Sequence, residues 1–234
     1  MTDDIWAPLA EGFVEGHYGS LRGRVRTHVV DAHLREHLAP PPGRVVDVGG
    51  GAGHQSIPLA RAGYGVTIVD PSPAMLDRAG RAVAALPGSV AERIRLVEAD
   101  GAAAPDVLDG ATFDGVLCHG VLMYLDDPTP VVGALCALAA PGGLVSIVAK
   151  NVEVMAILPA HRGDWAAALA AFDEDRQVNG LGVDSRGDSV DHLGELLRER
   201  GVTPEAWYGV RLFTDGWVPE RVDRDPEDQV LAVE

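Results

Sequence analysis

Cysteine is scarce in this sequence, and no long apolar run lies near its start. The only two cysteines, Cys118 and Cys136, stand in apolar surroundings, which argues against a disulfide framework and fits a reducing cytosol. The first residues, MTDDIWAPLAEG, are acidic, so we expect neither a signal peptide nor a membrane-spanning helix. We therefore predict a cytoplasmic protein with no membrane partner.

Basic residues are few as well. Lys and Arg number 19 against 35 Asp and Glu, which gives a formal net charge of −16. Nucleic-acid affinity rests mainly on cations that neutralise phosphates, so this balance opposes DNA binding and any large phosphate-tracking surface, while leaving room for a local basic patch. The 47% of hydrophobic residues suffices for one ordinary core, and the Ala, Gly, Val and Arg bias is typical of a GC-rich bacterial genome.

Short β-rich runs alternate with helical patterns in the middle of the chain. The predicted strands cover 44–48, 66–70, 94–98, 113–118 and 144–149. The predicted helices between them cover 54–62, 73–85 and 130–139. This alternation is typical of an α/β fold with a doubly wound, mainly parallel sheet that helices cover on both faces.

Four segments follow from the breaks in this pattern. Residues 1–42 form an N-terminal helical segment whose helix over 20–38 ends at three prolines, and residues 43–150 form the core. Residues 151–189 are an acidic, Gly-rich insertion after strand five, with a helix over 165–172, and a break of this length is typical of a lid or binding loop. Residues 190–234 finish the α/β core with a helix over 190–200 and a strand over 205–213.

Four glycines stand within five positions directly behind the first predicted strand, in DVGGGAG. So many glycines indicate that something lies closer to the backbone than a Cβ would allow. A dinucleotide motif G-x-G-x-x-G would require a third glycine where His54 stands, and no phosphate-binding lysine follows, which excludes a P-loop. The spacing that fits is acidic-x-G-x-G-x-G, starting at Asp47.

Further polar residues follow the next strand ends, where parallel sheets bind ligands. Asp70 could accept both hydroxyls of a ribose, and Asp100 could accept from an exocyclic amine such as adenine N6 beside Gly101. His119 ends the fourth strand over the same cleft. A single Asp after a strand is more often a helix cap or turn residue, but such features on four successive strand ends indicate a nucleoside site.

On these residues the sequence resembles the class I S-adenosylmethionine-dependent methyltransferases from Gly43 to Lys150, and PGGLVSIVAK is similar to that family's fifth strand with its lead-in. The resemblance implies S-adenosylmethionine as cofactor and S-adenosylhomocysteine as product. By position it implies these cofactor contacts: Asp47, Gly49, Gly50, Gly51, Gly53, Asp70, Pro71, Asp100 and Gly101.

Four further segments, HYGSLRGRVR, CHGVLMYLDDP, KN and GVRLFTD, are similar to the bacterial tRNA 5-carboxymethoxyuridine methyltransferases. This narrower resemblance implies that Arg26 and His119 contact the cofactor, and Tyr124 stands where that group has an aromatic residue. Two departures stand out. The insertion is basic in those relatives and acidic here (FDEDR). The chain also stops where their fold continues to a last helix and an antiparallel strand, so either the sequence is shortened and could lack that strand, or the edge of the sheet is finished differently.

Methyl transfer from a sulfonium is an in-line displacement, which needs alignment and the exclusion of water more than proton transfer. A base is needed for a poorly acidic hydroxyl and not for a carboxylate, and no base dyad is evident. We assign catalytic candidates to His119, as a base, a cofactor contact or a core histidine, and to Tyr124. The predicted reaction methylates a small carboxylate- or hydroxyl-bearing acceptor. The alternatives are methyl esterification of a carboxymethoxyuridine in tRNA and a non-catalytic S-adenosylmethionine-binding module, and the glycine spacing disfavours an NAD-dependent oxidoreductase.

Other residues leave alternatives open. His33 and His37 have the spacing of paired metal ligands but no third ligand, so no metal is expected. Trp165 and Phe172 could cap a substrate or simply pack at helical spacing. Arg211 and Phe213 could reach the cleft from the predicted last strand, with core packing as the other role for Phe213.

Overall fold

The protein was analysed as a computed structural model that describes residues 18–214 and, before them, residues 7, 8, 12 and 16. The helices are α1 (Leu21–His37), α2 (Ser56–Ala62), α3 (Pro73–Ala84), α4 (Gly88–Ala91), α5 (Ala104–Val107), α6 (Thr129–Leu138), α7 (Ile157–His161), α8 (Trp165–Ala170) and α9 (Val190–Arg198). The strands are β1 (Arg44–Val48), β2 (Gly65–Asp70), β3 (Ile94–Glu98), β4 (Phe113–His119), β5 (Ala139–Val148), β6 (Arg176–Val178) and β7 (Asp184–Arg186). Short 3-10 turns lie at Gly101–Ala103, Leu122–Tyr124 and Val152–Val154.

Five strands form the central sheet in the order β3-β2-β1-β4-β5, and every pair is parallel. This confirms the predicted doubly wound α/β fold. The strand order reverses between β1 and β4, so the carboxyl ends on either side of that point line one edge of the sheet. The register fixes which ends are neighbours, since Val48 pairs with Val69 and His119 with Val148.

Two apolar layers cover the sheet, because β1, β2 and β4 are buried on both faces. Leu34 of α1, Leu59 of α2 and Ala79 of α3 pack on one face with Leu117. Leu135 of α6 and Leu196 of α9 pack on the other. No described helix combines the length and the apolar character that crossing a bilayer requires.

Helix α1 begins at a capped end and buries one side. The Ser20 side chain accepts a hydrogen bond from the Gly23 N–H at 3.2 Å, which satisfies a free donor of the first turn. Leu21, Val25 and Val29 form a small apolar cluster on its buried side. This packing carries Arg26, which is 7% exposed, to the carboxyl edge of the sheet.

The strand predicted over 205–213 does not form, and that prediction is wrong. Pro204 has no N–H to give to a ladder, and Arg211 has a φ of +61°, which an extended strand cannot contain. Trp207 is 72% exposed, so the segment does not lie on the core there. Among the described residues β5 is therefore an edge strand. The question of a missing last strand concerns 215–234, which lie outside the described residues.

The insertion 151–189 consists of α7, α8 and an antiparallel hairpin of β6 and β7. Its two ends come together, since Asn151 forms a parallel bridge with Asp188. The predicted helix over 165–172 is shorter, ending at Ala170. The role of this insertion as a lid stays a prediction.

Candidate functional site

The glycine loop between β1 and α2 adopts a backbone that side chains would not tolerate. Gly49 has a φ of +73° and Gly51 a φ of +54°, and a Cβ on Gly49 would collide with Val121. The Gly51 N–H donates to Asp70 Oδ2 at 2.8 Å, which ties the loop to the end of β2. The loop therefore presents bare backbone at the carboxyl edge, held by a buried carboxylate.

Asp70 is 6% exposed and is fixed on both oxygens. Its Oδ1 accepts from the Ser72 N–H at 2.9 Å, while Oδ2 accepts from the loop. An ionised carboxylate accepts hydrogen bonds only, so this side chain is of the type that binds ligand hydroxyls. Pro71, which follows it, is exposed at the same edge.

Asp47 lies beneath the loop and is 2% exposed. Its Oδ2 accepts from the Ser56 hydroxyl at 2.7 Å, which links β1 to the first turn of α2. Burial raises the pKa of Asp47 to about 6, against the lowering effects of Ser56 and Arg26. A Cβ at Gly50 would stand 2.8 Å from this carboxyl group, so Asp47 and the loop have to be packed as a unit.

Arg26 reaches the same edge from α1. Its Nη2 donates to the His119 carbonyl oxygen at 3.2 Å, and its guanidinium lies 5.5 Å from the centre of the Tyr18 ring. The Tyr18 ring stacks on His54 at 3.9 Å between centroids. Among the described residues no carboxylate oxygen lies within 4 Å of the Arg26 side chain, so the charge is buried with neutral partners and suits an anionic ligand group.

His119 ends β4 and is held as a neutral ring. Its Nε2 lies 3.0 Å from the Ser146 hydroxyl, and its buried Nδ1 has no hydrogen-bond partner among the described residues. Burial, and to a smaller extent the nearby Arg26 charge, lower the pKa of His119 to about 3. A ring with such a pKa is a poor general base at neutral pH, so this pKa disfavours the base role, and the role of His119 stays a prediction.

Tyr124 connects the site to the inserted hairpin. Its hydroxyl accepts from the Asn179 amide nitrogen at 3.3 Å, and burial raises its pKa. An open cleft of about 2050 Å³ extends from Arg26 and Tyr124 under the hairpin to the outer edge of β5. The glycine loop does not line this cleft, and the cleft is larger than the usual small-molecule pocket.

Asp100 and Gly101 lie farther along the edge, after β3. Asp100 is exposed and its Oδ1 accepts from the Ala102 N–H at 2.8 Å, so it caps a 3-10 turn. A Cβ at Gly101 would lie 3.0 Å from Val48, which gives this glycine a packing reason. The assignment of this pair to an adenine ring stays a prediction.

The other candidates lie away from this edge. The His33 ring stacks on Tyr208 at 3.7 Å, and His37 Nε2 bonds the Tyr208 hydroxyl at 2.8 Å. Trp165 and Phe172 are 67% and 77% exposed, so the simple packing role predicted as their alternative is wrong. Phe213 is 53% exposed, so core packing is wrong for it as well. Arg211 lines the open cleft, although the strand from which it was predicted to reach it is absent.

Three contributors to the site were missed in the sequence. Tyr18 lies inside the segment HYGSLRGRVR, and Ser56 begins the helix that follows the glycine loop. Neither residue type at that position indicates a ligand site. Ser146 could have been found from the register of the sheet. It stands two residues before Val148, the partner of His119, and therefore lies on the same face of the sheet.

Comparison with known proteins assigns the fold and the class. Residues 46–145 match the family model described as a methyltransferase domain. The tRNA 5-carboxymethoxyuridine methyltransferase of Escherichia coli (strain K12) is 28% identical over 239 aligned positions, covering all of this chain and 89% of that protein. The ubiquinone biosynthesis O-methyltransferase of Methylocella silvestris is 37% identical over 175 positions, 62% of this chain and 66% of that one. The crystal structure of magnesium protoporphyrin IX methyltransferase from Synechocystis PCC 6803 with bound S-adenosylhomocysteine has the same fold, with a TM-score of 0.66 over 87% of this chain and 89% of that chain at 18% identity.

Proposed function

We propose that this chain, which belongs to the class I S-adenosylmethionine-dependent methyltransferases, methylates a small acceptor that carries a carboxylate or hydroxyl group. S-adenosylmethionine, when bound, supplies an electrophilic methyl group on a sulfonium, and S-adenosylhomocysteine is the product. The chain's own residues then have to bind the cofactor, orient the acceptor and exclude water.

The residues at the carboxyl edge fit this cofactor. The Gly49 to Gly53 backbone leaves the space that an amino-acid moiety needs, and Asp70 is a fixed buried carboxylate that can accept two ribose hydroxyls. Arg26 is a buried cation with neutral partners, which suits the cofactor carboxylate. We assign Asp100 and Gly101 to the adenine end and the His119 region to the side from which the acceptor approaches.

The site's titration favours an acceptor that is already deprotonated. His119 has a pKa of about 3 and His54 one of about 4, both lowered mainly by burial, so neither ring competes well for a proton at neutral pH. The Tyr124 hydroxyl has a raised pKa and stays protonated. A carboxylate needs no base, so of the two acceptor groups it fits these residues better.

The observation that carries a small acceptor is the pairing of two of the insertion's three arginines. Arg176 bonds Asp184 at 2.6 Å, and the buried Arg186 bonds both oxygens of Asp188 at 2.9 and 3.0 Å. Arg26 of α1 is also buried at the site. Cations used in this way are not available to neutralise phosphates, and a net charge of −16 repels a polyanion further.

A second candidate is the methyl esterification of a carboxymethoxyuridine in tRNA. The observation that favours it is the full-length similarity to the Escherichia coli enzyme of that name. It requires the same carboxylate chemistry, and it differs in the surface that would grip a stem-loop.

The deciding experiment supplies isotopically labelled S-adenosylmethionine with either the small-molecule fraction or the total tRNA of a strain that lacks the protein. We expect label in the small-molecule fraction, at a rate that changes little with salt. Excess S-adenosylhomocysteine is the control, since it should suppress the incorporation. Strong incorporation into tRNA that falls steeply with salt would contradict the small-acceptor proposal and favour the second candidate.

A further inference from the structure

Lys150 is the one lysine in the sequence, the other 18 of the 19 basic residues being arginine. It lies two residues beyond the end of β5 and lines the cleft under the hairpin. All other basic residues are arginines, so the compact ammonium at position 150 is unique in this sequence. A lysine presents a point charge with three rotatable donors, where an arginine presents a flat fork.

The Lys150 ammonium has a neutral partner. Its Nζ donates to the Ser185 hydroxyl oxygen at 3.2 Å, and that hydroxyl donates to the Gln177 carbonyl oxygen at 2.9 Å. One of the three N–H donors is therefore directed at the hairpin. The side chain is half-buried, and burial lowers its pKa.

The nearby carboxylates are already neutralised. Asp184 is bonded to Arg176, and Asp188 is bonded to Arg186. Within the part of the chain that the structure describes, no carboxylate oxygen lies within 4 Å of Lys150 Nζ. Arg176 contacts Asp126 as well as Asp184, and Asp184 attracts the Lys150 ammonium from a longer distance, so this wall is not positive overall. The Lys150 ammonium nevertheless lacks a carboxylate in direct contact, and a half-buried charge without such a contact is costly unless a ligand supplies one.

The position of Lys150 ties it to the acceptor side of the site. Val148 pairs with His119, and Lys150 is two residues farther along the chain in the same direction. Lys150 is also four residues beyond Ser146, whose hydroxyl bonds the His119 ring. The cleft thus has two cations with neutral partners, Arg26 on one wall and Lys150 on another.

We propose that Lys150 forms an acceptor subsite in which its ammonium binds a carboxylate of the methyl acceptor. This inference rests on the proposed function, in which Arg26 is occupied by the cofactor carboxylate. A carboxylate supplies the missing direct contact and brings only one negative charge. A phosphate monoester brings nearly two charges and would face Asp184 and Asp188 across the same wall, which favours a carboxylate.

The single lysine makes the test direct. Full-length protein produced with ¹³C-labelled lysine gives the signals of one residue by nuclear magnetic resonance. With S-adenosylhomocysteine bound, acetate should shift these signals saturably and raise the pKa of Lys150, while the neutral isostere acetamide should do neither. Methyl phosphate should bind more weakly than acetate.

Two variants complete the test. Lys150→Met should weaken acetate binding by about tenfold or more, since bonds to a charged group are lost, and Lys150→Arg should retain most of it. Calorimetry on the same samples should give unchanged affinity for S-adenosylhomocysteine. A Lys150 signal that acetate does not shift, or tighter binding of methyl phosphate, would overturn the carboxylate subsite. Failure to bind S-adenosylhomocysteine would instead contradict the proposed function, so the two failures are distinct.

Discussion

Replacing His119 with glutamine should change how the stability of the protein depends on pH. The folded protein holds this histidine neutral with a pKa of about 3, against 6.5 for an unperturbed ring. The unfolded chain therefore takes up a proton below pH 6.5 that the folded chain does not. The stabilising contribution is complete above pH 6.5 and is lost at about 1.4 kcal/mol for each unit as the pH falls toward 3.

The size of the effect can be worked out for one pH. From 6.5 to 4.5 is two units, so the wild-type protein should lose about 2.7 kcal/mol through this residue alone, while His119→Gln keeps a hydrogen-bonding group beside Ser146 and does not titrate. Urea unfolding at pH 7.5, 6.5, 5.5 and 4.5, each about one unit apart, measures the difference between the two proteins. Glutamine at the exposed His28 of α1 is the control and should leave the wild-type slope unchanged. Parallel curves for wild type and His119→Gln would refute the neutral, buried ring.

Two further changes test the cofactor side. Arg26→Met keeps the buried apolar stem and removes the charge, so the dissociation constant of S-adenosylhomocysteine should rise by about tenfold or more. Arg26→Lys keeps a positive charge and should raise this constant less. Equal affinity of all three proteins by calorimetry would show that Arg26 does not bind the cofactor carboxylate. Asp70→Ala should weaken the same binding by about 1.5–3 kcal/mol and should also leave the Gly51 N–H without its acceptor. The wild-type protein should bind NAD and ATP negligibly. Tight binding of NAD would contradict the assignment of Asp70 to the ribose.

The strands could be predicted where a β-rich run lies between loop residues. Runs such as Arg44–Val48 and Ile94–Glu98 are bounded by loop residues, and the structure has these same limits. β5 begins earlier than predicted, at Ala139, because pairing with Phe113 draws in a poor β-forming stretch, AAPGG. The strand over 205–213 failed for the converse reason. A strand needs a partner, and no local pattern tells whether one is provided.

The site could be predicted where chain position decides it. In a parallel sheet the carboxyl ends share one edge, so the glycine loop, Asp70 and His119 had to come together. Contacts between distant segments could not be predicted in this way. Arg26 meets the His119 carbonyl across 93 positions and Lys150 meets Ser185 across 35, and both depend on how α1 and the hairpin pack.

The distribution of charge across the cleft bears on how the reaction would proceed. Methyl transfer from a sulfonium to a carboxylate consumes one positive and one negative charge, so water, which solvates the separated charges best, opposes the transition state. Around the proposed acceptor approach the side chains are neutral: the His119 ring, the Ser146 hydroxyl and the protonated Tyr124. Full charges stand at the walls, on Arg26 and Lys150, where they can hold ligand groups in place. Such a division allows strong binding of charged reactants without strong solvation of the reacting atoms, which is what a displacement that needs no base requires.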